Sequence, residues 1–179
     1  MDTHAALHLV AIGFTVVAVC VHSGWRSRAS SLSLVAAFLM LAGMVDVAFT
    51  SRLSIVVWIP ALLATAMGLA AAQSVRRRRA SAAARRGVWI TAQDPLGLVA
   101  TAALLPLMHV GSASESGHAG HGAPLGVLLA VVLLVAIGHA FGSFVACAAS
   151  AALSVRVQHA AMGASTLLMA IAVVGARVV

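Results

Sequence analysis

Residues 124–154 read PLGVLLAVVLLVAIGHAFGSFVACAASAALS and contain no Asp, Glu, Lys or Arg. In hydrocarbon, every backbone N–H and C=O must find its partner within the segment, so an apolar run this long specifies a membrane-spanning helix. It exceeds the ~20 residues that a span requires, which predicts tilt or projection beyond the bilayer. Glycine, alanine and serine recur along it at Gly138, Gly142, Ala146, Ser150 and Ser154. Four-residue spacing puts them on one face, the kind that lets helices in lipid approach closely. That face is expected inside the bundle or at a contact with a membrane partner or second copy through Gly138, Gly142 and Ala146.

Working outward, the rest of the chain repeats the pattern. Its 179 residues are 62% hydrophobic and 8% charged, with a mean hydropathy of +1.07. A soluble domain carries about 25% charged residues. The expected architecture is all-α: one integral membrane domain of six transmembrane helices at about 4–24, 31–49, 53–73, 95–110, 124–154 and 158–175. Asp94 followed by Pro95 reads as an N-cap with proline at the first helical position. The fourth helix is short for a span, and Pro106 should bend it. Helix three repeats the small-residue pattern with Ala64, Gly68 and Ala72.

All eleven basic residues are arginine. With the N-terminus outside, Arg26, Arg28, Arg76, Arg77, Arg78, Arg79, Arg85, Arg86 and Arg156 fall on the inner side, against Arg52 and Arg177 outside. This bias places residues 74–90 as a cytoplasmic loop and both termini outside the cytoplasm, in a cell inner (plasma) membrane. The formal charge of +7 therefore reads as lipid-facing anchorage. No basic stripe is interleaved with aromatics, so no nucleic-acid partner is expected. Met1-Asp2-Thr3-His4 lacks the positive n-region of a cleavable signal peptide. Cys20 and Cys147 lie in apolar runs and make no disulfide framework.

Ligand-type side chains concentrate before helix five. Residues 105–124, LPLMHVGSASESGHAGHGAP, hold Met108, His109, His118 and His121. Residues 111–123 are read as an outer His-rich loop. His8 at the outer end of helix one and Met44 in helix two join this set. Imidazole and thioether together suit copper, and thioether selects Cu(I); zinc has little use for methionine. The candidate metal ligands are therefore His109, His118, His121, His8, Met108 and Met44, weighed equally against a solvated loop without a ligand. A second, inner group comprises His139, His159 and Met162, with Cys20, His22 and Cys147 nearby. Methionine at such positions also simply packs. Asp46 is costly in a span and needs a partner; Arg52 is the expected one. His8 and His22, fourteen residues apart, could each ligate a haem, with His109 outside and His139 or His159 inside. No second helix repeats that spacing, so haem ranks below copper. Neither G-x-S-x-G, H-E-x-x-H, a P-loop nor a dinucleotide-binding pattern occurs, and no enzymatic activity is expected.

The segment Gln158-His159-Ala160-Ala161-Met162, followed by Leu168-Met169-Ala170, resembles the C-terminus of a small actinobacterial family of multi-pass membrane proteins, domain of unknown function 5134. Leu107-Met108-His109 and Gly117-His118-Ala119-Gly120-His121 occupy the place of that family's Met/His-rich stretch after the fourth hydrophobic segment. Residues 40–46 are similar to its methionine-bearing second segment. Ser165 and Thr166 stand where the pattern would carry another methionine. The resemblance implies a membrane bundle and no established activity. The expectation is copper binding or handling at extracytoplasmic His and Met. The alternative is a cofactor-free accessory subunit of a larger membrane assembly, such as a respiratory one; a b-type haem protein ranks third.

Overall fold

The computed structural model describes residues 3–24, 31–50, 52–79, 93–110 and 122–175. Helices account for nearly all of them: α1 Thr3–Gly24, α2 Ser31–Val45, α3 Ile55–Arg79, α4 Gln93–Val110, α5 Gly122–Ala149 and α6 Leu153–Gly175. Four segments are long and apolar enough to cross a membrane: Ser33–Thr50, Ile55–Arg76, Gly126–Ala149 and Leu153–Gly175. Ala6–Val21 and Gln93–Met108 are apolar but shorter. Large side chains point outward along the long helices, with Val56, Leu134 and Phe141 at 70–76% exposure. Such a surface is compatible with lipid.

Several helix ends differ from the sequence expectation, each for a local reason. The apolar run of α2 finishes in a π-helical turn, Asp46–Thr50. The Asp46 carboxylate then accepts from the backbone amides of Arg52 and Leu53, both at 3.0 Å, and from Trp58 Nε1 at 2.8 Å. The Thr50 hydroxyl donates to the same carboxylate. Asp46 therefore closes the α2–α3 hairpin. Its contact with Arg52 is to the main chain, not the expected charge pair. Ser54 caps α3, its hydroxyl accepting from Val56 N at 3.3 Å. Arginine is a good helix former, so α3 continues through Arg79 rather than stopping near Gln73. The expected helix to residue 154 ends at Ala149, where the Ser150 hydroxyl takes the Ala146 carbonyl at 2.6 Å. As a result α6 starts at Leu153, five residues earlier than expected.

α6 is the hub. Of its apolar window 56% is buried, against 22–33% for the other three long segments. Its most extensive pairings are with α1 and α5. Against α1, Thr15 and Ser165 hydroxyls meet at 2.8 Å, and Ser165 also donates to the Ala11 carbonyl at 2.9 Å. Against α5, Gly163 permits close backbone approach: an added Cβ would stand 3.2 Å from the Ala140 carbonyl oxygen. α2 and α4 run in the same direction, since Ser33 donates to Asp94 at 2.6 Å near both helix starts. α5 runs against α4, since Gln93 meets Gly142 and Gly97 meets His139. The bundle thus has an Asp94 end and an Asp46 end.

The interior forms two apolar clusters. One holds Met40, Trp58, Leu62, Leu98, Leu105 and Met162. The other holds Met44, Leu104, Val132, Met169 and Val173. Met108 packs against both.

Candidate functional site: a buried histidine group at the Asp94 end

Polar side chains converge where α4, α5 and α6 pack together. His139 of α5 is 2% exposed. Gly97 of α4 makes room for its ring: a Cβ there would lie 3.0 Å from His139 Cε1, 3.2 Å from Nε2 and 3.7 Å from Met40 Cε. The imidazole edge and the Met40 thioether methyl therefore both lie close to the same glycine. Both His139 nitrogens lack a hydrogen-bond partner within the protein.

One turn along α5, the buried Ser143 hydroxyl is likewise unpartnered, as is Oε1 of the buried Gln93. Gln93 and Gly97 are four apart and share a face of α4. The Gln93 carboxamide lies on Gly142, where a Cβ would come within 2.6 Å of Nε2 and 2.8 Å of Oε1. Gly142 thus creates the space that Gln93 fills. His159 of α6 is also buried. It lies one turn before Gly163, whose added Cβ would meet Ala140 and Ser143 of α5. With the Ser33 contact to Asp94, polar groups run from α2 through α4 and α6 to α5.

The energetics make this group unusual. Leaving one buried donor or acceptor unpartnered costs ~1–3 kcal/mol. Four such atoms on three neighbouring side chains are not explained by packing alone. Native interiors carry few of them, and they mark places where another species completes the set. The donors offered are mixed: two borderline imidazoles and a soft thioether, with a hard hydroxyl, carboxamide and carboxylate around them.

The sequence-predicted residues fall out as follows. His139, His159 and Met162 are brought to one end of the bundle, and Met162 shares a core cluster with Met40. Met44 is 2% exposed and accepts a hydrogen bond from the Thr15 hydroxyl at 3.6 Å. Its side chain lies in the core, with the thioether at the α1–α6 contact. Met108 is half-buried and packs close to Met44's cluster. His8 is half-buried on α1. His118, His121 and the loops 111–121 and 80–92 lie outside the described residues, as do the side chains of His109 and His22. Among the described residues, no group of three or more His, Cys, Asp or Glu is close enough to hold a metal. A metal held by them would need thioether or amide donors as well.

Of the two expectations for the small-residue face, the structure shows the interior one at two positions. Gly142 and Ala146 are turned inward, Gly142 against Gln93 and Ala146 at 5% exposure. Gly138 is open, with nothing within 4 Å of an added Cβ. Gln93, Gly97, Met40 and Ser143 were not singled out from the sequence. The one signal for them is the Gln93–Asp94 polar pair at the mouth of an otherwise apolar helix, four residues before a glycine.

The chain matches no protein-family model, no curated protein and no solved structure.

Proposed function

We propose that this chain is a multi-pass membrane protein that binds copper, as Cu(I), inside its helix bundle at His139. One observation carries the reading. A fully buried imidazole, with neither nitrogen partnered within the protein, shares the space over Gly97 with the Met40 methyl and lies at the same end of the bundle as a second buried histidine. Neutral imidazole and thioether donors suit a soft monovalent ion. His139 and His159 would supply nitrogen, Met40 and Met162 sulfur, and Asp94 a compensating charge nearby. Zinc would require more nitrogen, thiolate or carboxylate than this set contains. A porphyrin at His139 would have to occupy the space held by Gly97 and Met40, which places haem behind copper.

In this reading all six helices span the membrane, with the arginine-rich segments inside and both termini outside. The site then lies in the cytoplasmic half. His109, His118, His121 and His8 form the extracytoplasmic receiving side. The role is binding and handling of the ion rather than catalysis.

A second reading rests on a separate observation. Ala64 and Gly68 of α3 are exposed, and space is open beyond Gly68. A cofactor-free accessory subunit would dock a partner helix on that face, not at Gly142.

The deciding experiment titrates detergent-purified protein with Cu(I) against bicinchoninate. Wild type, His139→Ala, and a His109→Ala/His118→Ala/His121→Ala variant are compared. Near-stoichiometric Cu(I) that His139→Ala loses supports the site. Copper lost only in the triple variant moves it to the outer loop. No copper in any of the three leaves the accessory-subunit reading.

A further inference from the structure

Seven methionines occur in the chain, and five of them line its interior. Met40 and Met162 belong to the core cluster beside the histidine group; Met44 and Met169 belong to the other; Met108 packs against both. Met67, by contrast, is 74% exposed. Three helices contribute. Met40 and Met44 are one turn apart on α2, Met162 and Met169 two turns apart on α6, and Met108 sits near the end of α4. At 1.5 Å per residue, those separations correspond to rises of about 6 Å and about 10 Å. The thioethers therefore climb about a third of a hydrocarbon core ~30 Å thick, starting at the buried imidazoles.

Chance packing does not require this arrangement. Leucine fills helical cores equally well and occurs in the same two clusters. Nor are the sulfurs all in wholly apolar surroundings: Met44 Sδ accepts from the Thr15 hydroxyl, itself bonded to Ser165.

We infer that Met44, Met108 and Met169 form a thioether ladder through which Cu(I) passes between the Asp46 end of the bundle and the histidine group at the Asp94 end. The inference rests on the copper reading and extends it from binding to conduction. Each thioether offers one weak, neutral, soft ligand. A Cu(I) ion moving along such a series exchanges one sulfur for the next and is never held by a full set until it reaches His139. Conduction requires such a series: binding strong enough to enter and weak enough to leave. No redox step is involved; the ion enters and leaves as Cu(I).

The test separates conduction from binding. Protein is reconstituted into liposomes with bicinchoninate trapped inside, and Cu(I) is supplied outside. Met44→Leu, Met108→Leu and Met169→Leu conserve volume, which cores tolerate well. Met67→Leu is the control. Each ladder variant is expected to slow Cu(I) entry about tenfold, the change that 1.4 kcal/mol makes in a rate. Equilibrium Cu(I) binding in detergent should stay at the wild-type value, and Met67→Leu should match wild type in both assays. Should one ladder variant misfold by circular dichroism, the other two carry the test. Wild type that binds Cu(I) but conducts none overturns the ladder and leaves the site. Ladder variants that conduct like wild type overturn it too, and show the methionines to be packing. Wild type that neither binds nor conducts overturns both.

Discussion

Two glycines on neighbouring helices give a measurable test of how tightly the hub helix is packed. Gly138 on α5 has nothing within 4 Å of an added Cβ. Gly163 on α6 would place that carbon 3.2 Å from the Ala140 carbonyl oxygen, 3.2 Å from Ser143 Cβ and 3.4 Å from Phe144 Cζ. Alanine is favoured over glycine in a helix by ~0.5–1 kcal/mol, and this gain applies at both sites. Gly138→Ala should therefore stabilise the bundle by about that amount. At Gly163 the gain is opposed by overpacking, which typically costs ~1–3 kcal/mol. The Ala140 oxygen is main chain, so it gives way only if α5 moves, taking His139 with it. Because the propensity gain cancels between the two variants, Gly163→Ala should be less stable than Gly138→Ala by the overpacking cost alone, ~1–3 kcal/mol. The assay is reversible unfolding in mixed micelles with increasing sodium dodecyl sulfate, followed by far-ultraviolet circular dichroism. If Gly163→Ala proves as stable as Gly138→Ala, α5 and α6 are not in backbone contact at this point. The description of the site built on that contact would then fail with it.

Other outcomes follow from the same structure. Thr15→Val and Ser165→Ala, combined in a double-mutant cycle, should show a coupling of ~0.6 kcal/mol and no more than ~1.7 kcal/mol, the range for hydrogen bonds between helices in a membrane; independent effects would mean that the α1–α6 contact is misplaced. Gly97→Ala pushes directly on the His139 ring and should weaken Cu(I) binding about tenfold, the scale of second-shell perturbations at metal sites, while the far-ultraviolet spectrum stays unchanged. Bicinchoninate competition reads this out, and an unaltered affinity would detach Gly97 from the site. For topology, a cysteine at Ser114 should react with an impermeant maleimide in intact cells and a cysteine at Ser81 should not; labelling at 81 would invert the proposed orientation.

The helices were legible because their signal is additive. A long apolar run outweighs any local propensity, so residues 124–149, which carry no Asp, Glu, Lys or Arg, and residues 31–49, with Asp46 alone, could be read directly. Helix ends were less legible because they depend on single side chains finding partners. No pattern in the sequence announces that Ser150 will take the Ala146 carbonyl. The partner of Asp46 was misread for a related reason. Arg52 is the nearest opposite charge in sequence, yet main-chain amides and an indole twelve residues away reach the carboxylate first. His139, His159 and Met162 were grouped from the sequence, and the structure brings all three to one end of the bundle. Gln93, Met40 and Gly97 were not found. Their role comes from helix-to-helix register, which a glycine like Gly97 fixes only once both helices are in place. The face holding Gly142 and Ala146 was read as interior or contact, and the packing of Gln93 decided for interior.

The pairing of the first helix with the last has a consequence for biosynthesis. Thr15 and Ser165 are 150 residues apart. At ~5–20 residues per second, about 8–30 s separate their emergence from the ribosome. During that interval α1, short and carrying a hydroxyl destined for the interior, has been made but its final neighbour has not. Its orientation must be held by something other than the contact with α6, either a placeholder chaperone within the insertion machinery or its smaller native pairing with α2. Truncated nascent chains ending before residue 153 should therefore be the forms most exposed to membrane quality-control proteases. The last helix then acts as the keystone that ends this vulnerability.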